Sequence, residues 1–116
     1  MEINIINNIA VIKSNEIILS SAENALDLIG EISFNYNIRK VIMKKENISE
    51  NFFDLKSKLA GEILQKFTNY RIDIAIIGDF EACKSKSLND FIRECNKTGR
   101  ILFLKTEQEA IETLTK

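Results

Sequence analysis

The stretch Ile72-Asp73-Ile74-Ala75-Ile76-Ile77-Gly78 decides the fold of this chain of 116 residues. It is nearly continuously apolar, rich in β-branched side chains, too short for a free-standing helix, and followed by Asp79. Such a run is typical of a strand buried on both faces, as in a parallel sheet covered by helices. Binding sites in open α/β sheets lie beyond the carboxyl ends of these strands. The segment after Ile77 is therefore the first place to look for function.

The segments on either side of this strand alternate between strand and helix patterns. A hairpin opens the chain, with residues 3–6 and 9–12 as strands and Asn7-Asn8 as a tight turn. A short strand over 16–19 follows, and then a helix capped by Ser20 and Glu23, whose apolar face consists of Ala22, Ala25, Leu26, Ile29 and Ile32. The remaining strands are predicted over 38–43, 72–77 and 101–104. The remaining helices are a long one over 49–69, one that opens near Ser87 and ends before Gly99, and a last one capped by Thr106 and Glu109.

This element order predicts the fold class. Alternating strands and helices favour a parallel sheet with right-handed crossovers, so we expect about five strands, mainly parallel after the N-terminal hairpin, with four helices. The strand 72–77 is expected at the centre of the sheet. A chain of 116 residues with 45% apolar content fits one α/β domain over residues 1–116, which buries roughly two-thirds of its unfolded surface.

Composition excludes several classes of function. The chain has no histidine, which removes Ser-His and Cys-His catalysis and histidine metal sites. With 16 basic and 17 acidic residues, it gives no electrostatic reason to bind nucleic acid or acidic membranes. Two cysteines without a CxxC spacing, no signal-peptide pattern and no membrane-spanning run lead us to expect a cytoplasmic protein with reduced thiols. No cofactor and no metal are predicted.

The loop over residues 79–87 is the candidate ligand site. Free amides at the start of the following helix, together with its positive dipole end, could hold a small anion. Asp79 would fix the loop or coordinate a cation. The same residues could be purely structural, with Ser87 and Asp90 as a helix cap and Asp79 bonded to loop amides. The candidate ligand-binding residues are Asp79, Ser85, Lys86 and Ser87, with Lys84 as a further source of charge.

A second candidate is a protein-contact surface around Phe52-Phe53-Asp54. Two adjacent aromatic residues cannot both face the core from one helix, so Phe53 is expected either on a partner or beneath the preceding loop. The predicted interaction residues are Phe53, Asp54, Phe80 and Arg93. Cys95 falls on an apolar stripe and is expected in the core, whereas Cys83 lies in the loop beside basic residues.

Several short motifs resemble a family of small bacterial proteins known as domain of unknown function 4180. They are Phe52-Phe53-Asp54-Leu55, the run from Leu59 to Phe67, Asn69-Tyr70-Arg71, Gly78-Asp79-Phe80, Ser85-Lys86-Ser87-Leu88 and Asp90-Phe91-Ile92. The resemblance spans nearly the whole chain and implies a shared fold without an assigned activity. Some members carry a hydrolase label, which the absence of histidine does not support.

The order of elements also looks like that of the STAS domain, the fold of anti-sigma-factor antagonists. In those regulators, a phosphorylatable serine beside an aspartate opens the helix after the third strand. The corresponding candidate here is Ser49, which is followed by Glu50 rather than flanked by an aspartate. A serine at this position is also a common helix N-cap.

These observations favour a non-enzymatic, STAS-like bacterial regulatory module that acts through contact with a partner protein or with a second copy of itself. The alternative is a protein that binds a small anion or a nucleotide through the loop 79–87. The sequence does not decide whether the chain is an enzyme, and it offers no catalytic residue. The two functions require different surfaces: a ligand site needs a concave pocket, and an interaction module needs an exposed apolar patch or an open sheet edge.

Overall fold

Five strands form one sheet and follow one another across it in chain order. A computed structural model describes residues 1–81 and 85–115. The strands are β1 (Glu2–Ile6), β2 (Ile9–Lys13), β3 (Lys40–Lys44), β4 (Asp73–Ile77) and β5 (Ile101–Leu104). β1 and β2 are antiparallel, and every later neighbour is parallel. The predicted mixed α/β sheet is therefore confirmed. The expected central place of β4 is wrong, because β3 occupies the centre of the order.

Four α-helices connect or follow the parallel strands, as predicted. They are α1 (Ala22–Gly30), α2 (Leu59–Asn69), α3 (Lys86–Thr98) and α4 (Glu107–Thr115). A π-helical segment, Glu31–Asn35, continues α1. Within the described residues, no helix is long and apolar enough to cross a membrane.

The helices divide unequally between the two faces of the sheet. Because each parallel strand lies beside the previous one, right-handed crossovers place α1, α2 and α3 on the same face. The larger core lies between them and includes Ile74 and Ile76 of β4, both fully buried. On the other face, α4 alone covers the sheet through Ala110 and Leu114. The burial of β4 on both faces agrees with its continuous apolar sequence.

The hairpin turn has the conformation that two asparagines favour. Asn7 and Asn8 have φ angles of 52° and 63°, as in a type I′ turn, and Ile6 pairs with Ile9 across it. This turn fixes the register of β1 on β2. The predicted strand over 16–19 is wrong except at one residue, since only Leu19 makes a bridge, to Ile48.

The predicted helix over 49–69 is wrong in its first half. Two short 3-10 helices, Glu50–Phe53 and Leu55–Ser57, come before α2. Lys58 separates them from α2 with a left-handed conformation, φ 66°, which a continuous α-helix does not contain. Asp54 stabilises the break, because its carboxylate accepts a hydrogen bond from the Lys56 amide.

Two of the predicted helix starts are displaced. Ser21, not Ser20, is the N-cap of α1 and accepts a hydrogen bond from the Asn24 amide. Ser85, not Ser87, is the N-cap of α3. Leu26 is also 38% exposed rather than inward, and Leu28 takes the buried position on α1. Ser21 and Ser85 each accept a hydrogen bond from the amide three residues later, which is the usual geometry of an N-cap serine.

Other terminal signals behave as predicted. Thr106 accepts a hydrogen bond from the Glu109 amide at the start of α4. Gly99 ends α3 with φ 73°, a conformation that costs glycine little. Cys95 is buried on α3, as expected for a small core residue. Burial raises the pKa of its thiol, and the neighbouring Glu94 charge raises it further.

Asn47 joins the loop after β3 to the loop after β2. Its side chain is 1% exposed and donates hydrogen bonds to the carbonyls of Ser14 and Glu16, at 2.9 and 3.0 Å. The backbone carbonyl of Asn47 accepts hydrogen bonds from the backbone amides of Ile18 and Leu19, at 2.7 and 3.1 Å. One buried amide therefore holds both loops at the carboxyl end of the sheet.

We predict that Asn47→Ala lowers the free energy of unfolding by about 1–3 kcal/mol, because it leaves buried backbone carbonyls without a donor. Asn15→Ala, at an exposed position of the same loop, should change it by less than about 0.5 kcal/mol. Urea denaturation followed by circular dichroism provides the measurement. Equal effects of the two substitutions would contradict a role for Asn47 in joining the loops.

Candidate functional site

The carboxyl ends of β3 and β4 bring together Lys45, Phe53 and Phe80, which we call the aromatic–lysine cluster. The Lys45 ammonium lies 5.4 Å from the centre of the Phe53 ring and 5.7 Å from that of Phe80. The two ring centres are 6.1 Å apart. Both distances from the ammonium are within the range of a cation–π contact. The cluster therefore holds a positive charge above two half-buried rings at the expected edge of the sheet.

Gly78 makes the cluster possible. A Cβ atom at this position would lie 2.9 Å from the Cβ of Lys45 and 3.2 Å from Cζ of Phe80. A contact of 2.9 Å essentially never occurs for a real Cβ atom, and one of 3.2 Å is unusually tight, so glycine at this position lets β4 end directly against Lys45. Gly78, which ends the apolar run 72–78, is thus required for the close packing of Lys45 and Phe80.

Phe53 is neither free nor fully buried. Its ring packs edge-on against Phe52, at 4.9 Å between centres, and Phe52 is 1% exposed in the core. The 3-10 helix resolves the difficulty of two adjacent aromatics, because it buries Phe52 and leaves Phe53 beside Phe80 at the surface. Phe80 in turn packs edge-on against Phe103 of β5, at 5.3 Å. The cluster is therefore anchored to the core on both sides.

A shallow cleft of about 420 Å³ opens on the Phe53 side of the cluster. Ile17 lines it and is 54% exposed, although it is a large apolar side chain. Glu46 and Glu50 also line the cleft, beside Lys45. The result is an apolar floor with a rim of both charges, an arrangement found at protein-contact surfaces.

A second cleft, of about 550 Å³, opens on the other side of Phe80, between α3 and β5. Of the charged side chains that line it, Arg93 pairs with Asp90 at 3.2 Å, Lys105 pairs with Glu81 at 2.7 Å, and Glu109 accepts a hydrogen bond from the Lys105 backbone amide at 3.2 Å. The hydrogen bond and charge of Glu81 raise the pKa of Lys105. The cleft therefore has balanced charges that are already engaged within the chain.

Asp79 is exposed at the end of β4, and its carboxylate accepts a hydrogen bond from the Glu81 amide at 3.2 Å. This is the structural role that the sequence left open for it. Among the described residues, no hydrogen bond joins Asp79 to the start of α3. Lys84, which the sequence offered as a further source of charge for this candidate site, and Cys83 of the same loop lie outside the described residues.

The start of α3 presents the rest of the predicted ligand site. The Ser85 hydroxyl accepts a hydrogen bond from the Leu88 amide at 3.2 Å, so it satisfies one of the free amides itself. Lys86 and Ser87 are exposed in the first turn. The structure thus places these residues on one helix start, where the serine that caps it is already engaged.

The four predicted interaction residues separate into two groups. Phe53 and Phe80 are in contact, and Arg93 lines the second cleft beside Phe80. Asp54 caps a 3-10 helix instead. The phosphorylation candidate, Ser49, also acts as an N-cap: its hydroxyl accepts a hydrogen bond from the Asn51 amide at 3.3 Å.

Sequence reasoning missed Lys45 and Ile17. Lys45 could have been found, because it follows β3 directly and parallel neighbours end at the same edge of the sheet. Ile17 could not, because the loop position that brings it beside Phe53 depends on the Asn47 hydrogen bonds. Nothing local in the sequence distinguishes it from an isoleucine of the core.

The fold and the site define a mixed α/β domain with an aromatic, partly charged surface at the carboxyl end of its sheet. Among the described residues, no group of three or more acidic or cysteine side chains is placed to hold a metal ion. The family described as Domain of unknown function (DUF4180) matches residues 6–114, and the chain belongs to this family. No curated protein and no solved structure matches the chain.

We predict that Gly78→Ala destabilises the protein by about 1–3 kcal/mol, because Lys45 or Phe80 must move to admit a methyl group. Gly61 offers a matched control, since a Cβ there meets open space on an exposed part of α2. Gly61→Ala should stabilise by about 0.5–1 kcal/mol. Thermal and urea unfolding of both variants test whether the two substitutions change the free energy of unfolding in opposite directions. A Gly78→Ala variant as stable as the parent protein would show that the close approach of β4 to Lys45 does not require glycine.

Proposed function

We propose that this chain is a non-enzymatic module that acts through protein–protein contact, and that its contact surface consists of Ile17, Lys45 and Phe53. The observation that carries the proposal is the shallow cleft in which the exposed Ile17 lies beside the half-buried Phe53 ring. An exposed apolar surface with a polar rim is a feature of protein–protein contact sites.

The chemistry of the cleft defines the partner that it would accept. An apolar side chain of the partner would fill the space between Ile17 and Phe53 and remove both from water. A carboxylate at its edge could approach Lys45, whose ammonium is held over the aromatic rings. Glu46 and Glu50 on the same rim would disfavour a partner with further acidic groups.

A STAS-like regulatory role fits this proposal. It is supported by the order of strands and helices, with a hairpin followed by alternating parallel units. Ser49 lies between Ile48 and Glu50, which both line the cleft. A phosphate at Ser49 would replace the hydroxyl as N-cap and add negative charge beside the contact surface, so phosphorylation would alter partner binding there.

We predict that Ile17→Glu weakens partner binding at least tenfold, about 1.4 kcal/mol, because it places a charge in the apolar cleft. A photo-crosslinking amino acid at position 17, in the native host, would first identify the partner. Calorimetry with the purified partner then measures the affinities of the variants.

Leu26→Glu is the matched control, since Leu26 is a large apolar residue, 38% exposed, on α1. It should leave the affinity unchanged. Crosslinking that is equally strong at positions 17 and 26, or a partner that binds Ile17→Glu as tightly as the parent protein, would rule out this surface.

Binding of a small anion or a nucleotide is the second candidate. It is favoured by one observation: Lys86 and Ser87 are exposed in the first turn of α3, directly beyond β4. Such a site would be weak, because the Ser85 hydroxyl already accepts from the Leu88 amide. The surface around Ile17 therefore has the stronger support.

For this second candidate, we predict that titration with inorganic phosphate or ATP shifts the amide signals of residues 85–88 before any others, with a dissociation constant of about 1 mM or weaker. Lys86→Ala should reduce the shifts, whereas Lys97→Ala, at the opposite end of α3, should not. No movement of these amides at saturating phosphate and ATP would show that the segment serves only to begin the helix.

A further inference from the structure

The outer edge of β1 carries unpaired backbone groups at Ile3 and Ile5. In a hairpin with a two-residue turn, the pair that closes the turn exchanges hydrogen bonds, here Ile6 with Ile9. Alternation along the strand then directs the backbone groups of Glu2, Asn4 and Ile6 toward β2. Ile3 and Ile5 direct theirs outward, and within residues 1–81 and 85–115 no hydrogen bond reaches them.

The opposite edge of the sheet is closed by side chains. The side-chain oxygen of Asn96 accepts a hydrogen bond from the backbone amide of Phe103 at 2.7 Å, and its side-chain nitrogen donates one to the backbone carbonyl of Phe103 at 3.3 Å. The Thr98 hydroxyl accepts from the Ile101 amide at 3.4 Å. Asn96 thus occupies the place that another strand would take on β5. Side chains therefore cover the β5 edge, whereas the β1 edge is open among the described residues.

Apart from the charge of Glu2 at its first position, the β1 sequence, Glu-Ile-Asn-Ile-Ile, lacks the features that protect exposed edges. It has no lysine, no proline and no bulge, and its five residues pair with β2 without interruption. Ile5 is 45% exposed and Ile6 is 37% exposed, so apolar side chains accompany the open backbone. An edge of this composition is suited to strand addition.

We propose that β1 pairs with β1 of a second copy of this chain, antiparallel and centred on Asn4, to form a continuous ten-stranded sheet. This register pairs all five residues of each strand and aligns Ile3 with the partner's Ile5 twice, by symmetry. Both residues direct their backbone groups outward, so each alignment forms two hydrogen bonds. A two-fold axis generates the pairing without any change in β1 or β2.

The side chains are compatible with this register. Ile3 and Ile5 lie on the face of the sheet that carries α1, α2 and α3, because they pair with Ile12 and Ala10. Four isoleucines would therefore meet on that face. On the other face, each Glu2 would lie opposite Ile6 of the other copy, and the two Asn4 amides would meet. No pair of like charges is opposed along the strands.

The length of β1 limits the strength of the dimer. Five paired residues bury less surface than a standard interface, which is roughly 800 Å² per partner, so we expect dimerisation that depends on concentration. The pairing uses a surface distinct from the Ile17 cleft. A substitution that abolishes the β1 pairing would therefore leave binding at the Ile17 cleft intact.

Hydrogen exchange of the full chain tests the pairing residue by residue. From about 10 μM to about 1 mM protein, the amides of Ile3 and Ile5 should become protected as a dimer forms. The amides of Asn4 and Ile6 should be protected at every concentration, because they bond to β2. Amides of Ile3 and Ile5 that exchange without protection at about 1 mM, or a monomer by sedimentation at about 1 mM, would overturn the proposal.

Two substitutions identify the edge itself. Ile5→Pro removes an outward amide, which a monomer does not use, and should lower the dimer association constant at least tenfold. If Ile5→Pro also loosens the hairpin, seen as lost protection of Ile6, then Ile5→Lys decides, since it adds a charge at the edge without removing an amide. Tyr70→Lys, at a position 52% exposed after α2, should leave the constant unchanged. A dimer that persists in Ile5→Lys contradicts the proposed edge.

Discussion

The structure depends on the constraint that consecutive parallel strands must be joined by right-handed crossovers. Since the strands occur in chain order, the three connecting helices are confined to one face, and the opposite face is left to whatever follows β5. The nine residues of α4 cover it through Ala110 and Leu114. The two unequal cores follow from this order. So does the place of the site, because every crossover begins at the same end of the sheet.

That end of the sheet is organised by two local devices that compensate for its irregular loops. Asn47 satisfies backbone carbonyls that no strand or helix serves, which fixes the loops after β2 and β3 relative to each other. Gly78 removes a side chain where β4 would otherwise collide with Lys45. Together they set Phe53, Phe80 and Lys45 at contact distance. A surface with this much internal support can present a fixed shape to a partner.

The two edges of the sheet show how side chains control the assembly of strands. On β5, Asn96 imitates a neighbouring strand by bonding both the amide and the carbonyl of Phe103. β1 has no comparable cover among the described residues. The cost of unpaired backbone groups is small in water, so an open edge is tolerated in a monomer and becomes favourable only when another strand supplies partners.

The sequence by itself determined the element order and the mixed sheet, because apolar runs such as 72–77, the Asn7-Asn8 turn and the Gly99 terminus are local signals. It also predicted a candidate ligand site beyond the carboxyl end of the strand 72–77, and it left open whether Phe53 contacts a partner or lies beneath the preceding loop. Only the tertiary structure decided that the helix over 49–69 breaks at Lys58, that β3 is central, and that Ile17 lies beside Phe53. These outcomes depend on hydrogen bonds and packing between segments far apart in the chain, which periodicity within a segment does not record.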